Sequence, residues 1–173
     1  MLPILETKRL RMRPPTWDDL DSIYLLGSNP NVMRFLNKGE VQTLGQARKD
    51  LERRIRQTNQ HTGYWITEQK TDNTFVGWIA LKKLEQTKET EIGYRFMEKF
   101  WGRGLATEAG TAVLSYAFKT LNLPKVVAIT VEANLASVRV MEKLGLSQTG
   151  TGIYYNTPCV YYEISKEQHS GRA

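Results

Sequence analysis

The stretch ETEIGYRFMEKFWGRGLATEA, residues 89–109, decides how the chain is read. Residues 89–96 alternate, with Ile92, Tyr94 and Phe96 on one side and Glu91, Gly93 and Arg95 on the other, the pattern of a strand. Gly102 and Gly104 then flank Arg103, and a run of strong helix formers begins at once. Leu105, Ala109, Ala112, Val113, Tyr116, Ala117 and Leu121 recur on one face at three- and four-residue spacing, predicting a helix from Leu105 to Leu121 that Pro124 stops. KVVAITVE, residues 125–132, reads as a buried strand. Strand, glycine loop, helix, strand is a crossover between parallel neighbours, and ligands commonly bind at the loop that follows the first strand.

Such a loop has a chemical use. The first turn of a helix leaves N–H groups unpaired and carries partial positive charge. Gly102 and Gly104 lack the Cβ atoms that would keep an anion from converging amides, and Arg103 adds a charge. Each charge-assisted bond contributes about 1.5–3 kcal/mol, so three or four together hold a pyrophosphate without a metal. The spacing is neither G-x-x-x-x-G-K-[ST] nor the full G-x-G-x-x-G, which disfavours a nucleotide triphosphatase and a dinucleotide site. Taken alone, the two glycines fit a ligand-free tight turn equally well.

Outward from this unit, KRLRMR (8–13) alternates as a first strand, ended by Pro14-Pro15. Thr16 with Asp19 forms a capping-box variant opening a helix to about residue 27. Asn29-Pro30-Asn31 closes it and an irregular stretch follows. Residues 43–58 predict a second, highly charged helix. Residues 61–69 and 75–84 predict strands joined by a turn at Thr71-Asp72-Asn73, and residues 136–144 a short helix ended by Gly145. Two short strands near 146–150 and 158–164 precede a polar tail from about 166. The order reads as one domain over residues 1–173, with a mixed sheet of about seven strands and about four helices packed on it.

The chain has 173 residues, 40% hydrophobic content and a net charge of +6, enough for a core and favouring anionic ligands or partners. The 24 basic residues are spread without a run or stripe, so direct nucleic-acid binding is not expected. One cysteine, Cys159, and two separated histidines, His61 and His169, exclude an internal disulfide and make a metal site unexpected. With no signal-peptide core and no apolar span, the expected location is cytoplasmic, with no membrane partner.

Four segments, in order and in register, resemble the GNAT family of acetyl-CoA-dependent N-acetyltransferases. LETKRLRMRPPTWDDL (5–20) resembles its first strand and helix start, and EIGYRF (91–96) its fourth strand. WGRGLATEA (101–109) resembles its CoA-pyrophosphate loop, and NLASVRVMEKLG (134–145) its last conserved helix. Within the family the chain is similar to the branch containing the ribosomal-protein N-terminal alanine and serine acetyltransferases. The resemblance covers about residues 5–165 and implies an α/β (α+β) fold with a mixed, mostly antiparallel central sheet. It implies acetyl-CoA as donor and contacts to it from Tyr94, Arg95, Phe96, Trp101, Gly102, Arg103, Gly104, Leu105, Ala106, Thr107 and Asn134. Trp101 stands where the wider family has glutamine or arginine, a change that binding through the backbone tolerates.

Acetyl transfer needs a deprotonated amine, a polarised carbonyl and a proton for the leaving thiolate. The resemblance implies that Glu91 acts as base; as a strand residue it is equally a plain surface glutamate. Many family members carry a tyrosine proton donor where this chain has Met141. Ser137 matches a serine that serves as acid in some members, or is simply a first-turn residue. Asn134 is also a good N-cap. Tyr154 and Tyr155 lie where the family closes over substrate, and either can replace the missing acid or sit at the core edge. Arg34, Phe35, Trp65, Trp78 and Tyr154 line the implied acceptor groove or belong to the core. The acceptor implied by the resemblance is an amine on a protein or peptide N-terminus, or on a small molecule, and the expected assembly a monomer or homodimer. A CoA-binding domain without catalysis is the rival reading that Met141 raises.

Overall fold

A computed structural model describes residues 1–171. Its strands are β1 (Leu5–Glu6), β2 (Leu10–Arg13), β3 (Gly63–Gln69), β4 (Phe75–Lys83), β5 (Thr90–Phe96), β6 (Lys125–Thr130), β7 (Ser147–Tyr154) and β8 (Thr157–Ser165). The helices are α1 (Leu20–Gly27), α2 (Pro30–Met33), α3 (Leu44–Gln57), α4 (Leu105–Ser115), α5 (Leu135–Lys143) and α6 (Lys166–Ser170). The strands form one sheet in the order β1-β2-β3-β4-β5-β6-β8-β7, mixed and mostly antiparallel. The fold class matches the sequence reading, with eight strands rather than seven and six helices rather than four.

The additional elements have local causes. Asn29 Oδ1 accepts the N–H groups of Asn31 (2.8 Å) and Val32 (3.3 Å), and Pro30 fits a first helical position, so α2 forms where an irregular stretch was expected. Ser165 and Gln168 cap each other reciprocally, making residues 166–170 of the expected polar tail a helical turn. The β7–β8 hairpin is longer than the two strands predicted near 146–150 and 158–164: residues 151–154 continue the ladder and pair with residues 157–160 across the two-residue turn at Tyr155-Asn156. The helix predicted to Leu121 changes at Tyr116–Thr120 to a single π-helical turn.

The chain divides into two compact units. The first comprises Met1–Ala80 and Tyr94–Leu105, the second Leu81–Gly93 with the chain from Ala106 onward. In the first, α3 begins at the capping box of Thr43 and Gln46, and Ala47 and Leu51 are buried with Ile23, Leu26, Tyr64, Ile66 and Trp78. At the start of α1 the Asp19 carboxylate accepts the Thr16 N–H at 2.7 Å and pairs with Arg13, which also holds Glu68. Gly77 (φ +151°) lets β4 pass close to its neighbour: a Cβ there would stand 2.1 Å from the Arg95 carbonyl oxygen.

The same core encloses an ion pair. Asp50 accepts Arg54 Nη2 at 2.8 Å and pairs with Arg53. Burial alone would raise the Asp50 carboxyl, but Arg54 and Arg53 outweigh it and hold it near 2. This stabilisation is present above the ordinary value of 3.8 and is lost as pH falls toward 2. Asp50→Asn leaves the buried Arg54 without its counter-charge and is expected to cost about 3–5 kcal/mol by urea denaturation at pH 7. Its midpoint should also lose the dependence on pH that the parent shows between 4 and 2.

In the second unit β5 pairs in parallel with β6 at Glu91 and Val127, the crossover predicted from sequence. β6 lies antiparallel to β8 over six registered pairs. Gly145 (φ +90°) ends α5 in the left-handed conformation expected of it.

Candidate active site

The loop after β5 is tied down at several points. Met97 N–H donates to the Val76 carbonyl at 2.8 Å, and Glu98 accepts from the side chains of Asn29 (3.1 Å) and Asn31 (2.9 Å). Trp101 Nε1 donates to the Phe96 carbonyl at 2.8 Å, fixing the half-exposed indole where the loop turns. Gly102 (φ +70°) and Gly104 (φ +74°) both adopt left-handed backbone, which a side chain would strain. Beside Gly102 there is open space; at Gly104 an added Cβ would come 3.7 Å from Arg9 Nη2. Arg9 Nη1 in turn donates to the Arg103 carbonyl at 3.0 Å. The N–H groups of Gly102, Arg103 and Gly104 make no hydrogen bond among the described residues. Exposed donors at the mouth of α4 suit a diphosphate. Tyr94 and Phe96 meet edge to face at 5.4 Å, and Leu105 is buried, with Ala106 and Thr107 half-buried beyond it.

In the second unit, Glu91 is 5% exposed and sits in a three-residue cluster. Its Oε1 accepts both Lys82 Nζ and the Tyr155 hydroxyl, the latter at 2.8 Å, while Lys82 also donates to that hydroxyl at 2.6 Å. Oε2 makes no hydrogen bond among the described residues. One carboxylate oxygen is therefore anchored by two donors and the other by none. Burial raises the Tyr155 phenol above its ordinary 10, with the Glu91 charge adding to the effect and Lys82 opposing it, so the hydroxyl stays protonated at neutral pH. Cys159 is likewise pushed up, by burial and then by Glu91, and remains a thiol.

The other predicted residues divide. Asn134 caps α5, accepting the Ser137 N–H at 3.3 Å; Ser137 is half-buried. Met141 is buried in the same helix. Tyr154 stacks on Tyr161 at 6.0 Å. Arg34 is exposed over Phe35 at 5.1 Å. Trp65 and Trp78 belong to the core: Trp65 is fully buried with Nε1 donating to the Pro3 carbonyl, and Trp78 is 9% exposed. Arg95, read as a cofactor residue, directs its side chain to the ring of Trp78 at 5.3 Å. Sequence reasoning missed Lys82 as the partner of Glu91. The available signal was a lysine at the end of one strand facing the opening of the next across a short hairpin. Among the described residues no three metal-ligating side chains gather, and no helix is long and apolar enough to cross a membrane.

Comparison with known proteins agrees with the fold. The model of the acetyltransferase (GNAT) domain matches residues 9–147. The N-acetyltransferase YoaA of Bacillus subtilis is 31% identical over 152 residues, covering 87% of this chain and 86% of its own. The FsC-acetyl coenzyme A-N(2)-transacetylase of Aspergillus fumigatus is 30% identical, covering 96% of this chain and 77% of its own. The crystal structure of a GNAT-family acetyltransferase from Bacillus anthracis superimposes with a TM-score of 0.83 at 27% identity, over 95% of this chain and 99% of that one. Members of this family use acetyl-CoA as donor. With the strand–loop–helix crossover, the left-handed glycine loop and these relatives in agreement, the chain belongs to the GNAT family of acetyltransferases and is an N-acetyltransferase.

Proposed function

We propose that the protein transfers acetyl from acetyl-CoA directly to a primary amine, with an exposed peptide or protein α-amine as the preferred acceptor and Glu91 as base. The observation that carries this reading is the asymmetric Glu91 carboxylate, anchored through Oε1 by Lys82 and Tyr155 with Oε2 left to the acceptor. In it, Gly102–Thr107 hold the pyrophosphate through backbone donors, as the unpaired N–H groups of Gly102, Arg103 and Gly104 favour. The amine attacks the thioester carbonyl, Glu91 Oε2 takes the amine proton, and the C–S bond breaks. Tyr155 supplies the proton to the departing thiolate and is reprotonated from Glu91. Tyr155 takes this role in place of Ser137 because its hydroxyl touches the base.

Two features support the details. Cys159 stays a thiol, consistent with direct attack rather than an acetyl-cysteine intermediate. The Lys82 ammonium beside Glu91 disfavours a polycation at the base, and the net charge of +6 points the same way. The likeness to the N-terminal acetyltransferase branch supports the peptide acceptor. Release of CoA thiol across a panel of short peptides with varied N-terminal residue, amino acids, aminoglycosides and polyamines tests the reading. Faster turnover of a polyamine than of every peptide would overturn the acceptor assignment. In the preferred assay, Tyr155→Phe is expected to lower kcat about 10–100-fold with acetyl-CoA affinity unchanged. A kcat equal to the parent's would remove Tyr155 from proton transfer.

A further inference from the structure

Near the end of β4, Lys82 sets its ammonium between two proton-carrying groups of the second unit. Its Nζ donates to Glu91 Oε1 and, at 2.6 Å, to the Tyr155 hydroxyl oxygen. The Tyr155 hydroxyl donates in turn to the same Glu91 Oε1 at 2.8 Å, so the three groups close a triangle. The ammonium also lies 5.1 Å from the centre of the Tyr155 ring. The Lys82 side chain is 20% exposed and that of Glu91 7%, so salt and water screen the pair weakly. Lys83, the next residue, is exposed instead.

The direction of each hydrogen bond follows from the chemistry of the groups. An ammonium has donors and no acceptor, so the Tyr155 oxygen must accept from Lys82. The single hydrogen of the hydroxyl is then left to point at Glu91. Lys82 thus sets the polarity of the triangle. Tying the strands together needs no such pair. β4 and β5 are neighbours in the sheet, and their hairpin is already held by the Leu84 N–H on the Glu89 carbonyl at 2.9 Å. A desolvated ion pair also stabilises a fold little, if at all, beyond an apolar pair of the same shape.

We propose that Lys82 is a positioning residue for acetyl transfer, one ammonium that balances the Glu91 carboxylate before attack and the Tyr155 phenolate after it. Resting on the acetyl-transfer reading, this role couples its base to its acid. The amine nitrogen bonds to the thioester carbon, its proton passes to Glu91 Oε2, and the C–S bond breaks. Glu91 is then neutral and its Oε1 a weaker acceptor, which releases the Tyr155 hydrogen to the departing sulfur. The phenolate so formed already stands 2.6 Å from the ammonium. Glu91 returns the amine's proton to Tyr155, and the starting charges are restored. Lys82 itself gains and loses no proton; its charge is in place for both states. Burial raises the Tyr155 phenol and the hydrogen bond from Lys82 opposes that rise, as support of a phenolate requires.

Three substitutions separate charge from contact. Lys82→Met removes both, Lys82→Gln keeps an N–H donor without the charge, and Lys82→Arg keeps both. Release of CoA thiol with the fastest acceptor gives kcat, and calorimetry gives acetyl-CoA affinity. Lys82→Met and Lys82→Gln should each lower kcat about 10–100-fold with that affinity unchanged, and Lys82→Arg should recover a large part of the loss. Lys83→Met, which removes the same charge from the exposed neighbour, should turn over like the parent. Melting curves check folding, and if Lys82→Met unfolds, Lys82→Gln decides. In a Tyr155→Phe background, Lys82→Gln should slow turnover by a clearly smaller factor than in the parent, since the phenolate it serves is gone. Losses that multiply in full would mark a structural lysine and overturn the proposal. So would a parental kcat in Lys82→Gln, or a Lys82→Arg variant no faster than Lys82→Gln. If Tyr155→Phe and Glu91→Gln turn over at the parental rate, the underlying reading of base and acid falls, and the role of Lys82 with it. If those two are slow and the Lys82 variants are not, the Lys82 proposal alone falls.

Discussion

Replacing Glu91 by glutamine is expected to lower turnover about 10²–10⁴-fold with acetyl-CoA affinity essentially unchanged. The amide keeps the side chain's size and can still accept Lys82 and Tyr155 through its oxygen, so packing survives. The other terminal atom is now an NH₂ group, which cannot take a proton from the amine. Because Glu91 is buried on β5 in a paired region of sheet, the variant should fold, and circular dichroism with a melting curve checks this. Single-turnover measurement with saturating acetyl-CoA separates loss of chemistry from loss of binding. A decrease below about threefold would make Glu91 a framework carboxylate, with the amine arriving already deprotonated.

The second large effect belongs to the glycine loop. Gly104→Asp is expected to weaken acetyl-CoA binding about 100-fold or more, since losing two or three charge-assisted bonds is sufficient. Two physical terms act together. A Cβ at φ +74° strains the turn, and a carboxylate beside an anion-binding cradle repels the diphosphate. Gly104→Ala separates them, carrying the strain without the charge, and should fall between parent and aspartate in calorimetric titration. Parental affinity in the aspartate variant would place the pyrophosphate away from residues 102–107.

What the sequence revealed was local. Gly102 and Gly104 announce a loop of close approach, Thr16 with Asp19 writes a capping box, and the spacing from Leu105 onward writes a helix; each needs only neighbours within a few residues. The features that escaped depend on register and depth. Lys82 meets Glu91 through the β4–β5 hairpin, and Tyr155 arrives from a turn 64 residues away. Arg54 stood in a segment read only as a highly charged helix, yet Trp78 and Tyr64 enclose it. Nothing in the local pattern distinguishes that arginine from its exposed neighbours. The shift to a π-helical turn at Tyr116 likewise leaves the apolar spacing unaltered.

Tyr155 and Asn156 join β7 to β8 with φ values of +50° and +56°. For tyrosine this geometry costs roughly 1–2 kcal/mol that glycine would escape. A design program or directed-evolution screen scoring heat tolerance alone would therefore drift toward glycine or asparagine at 155, selecting robust variants that lack the proposed proton donor. Any campaign to harden this acetyltransferase should hold that position fixed and look for its gains elsewhere.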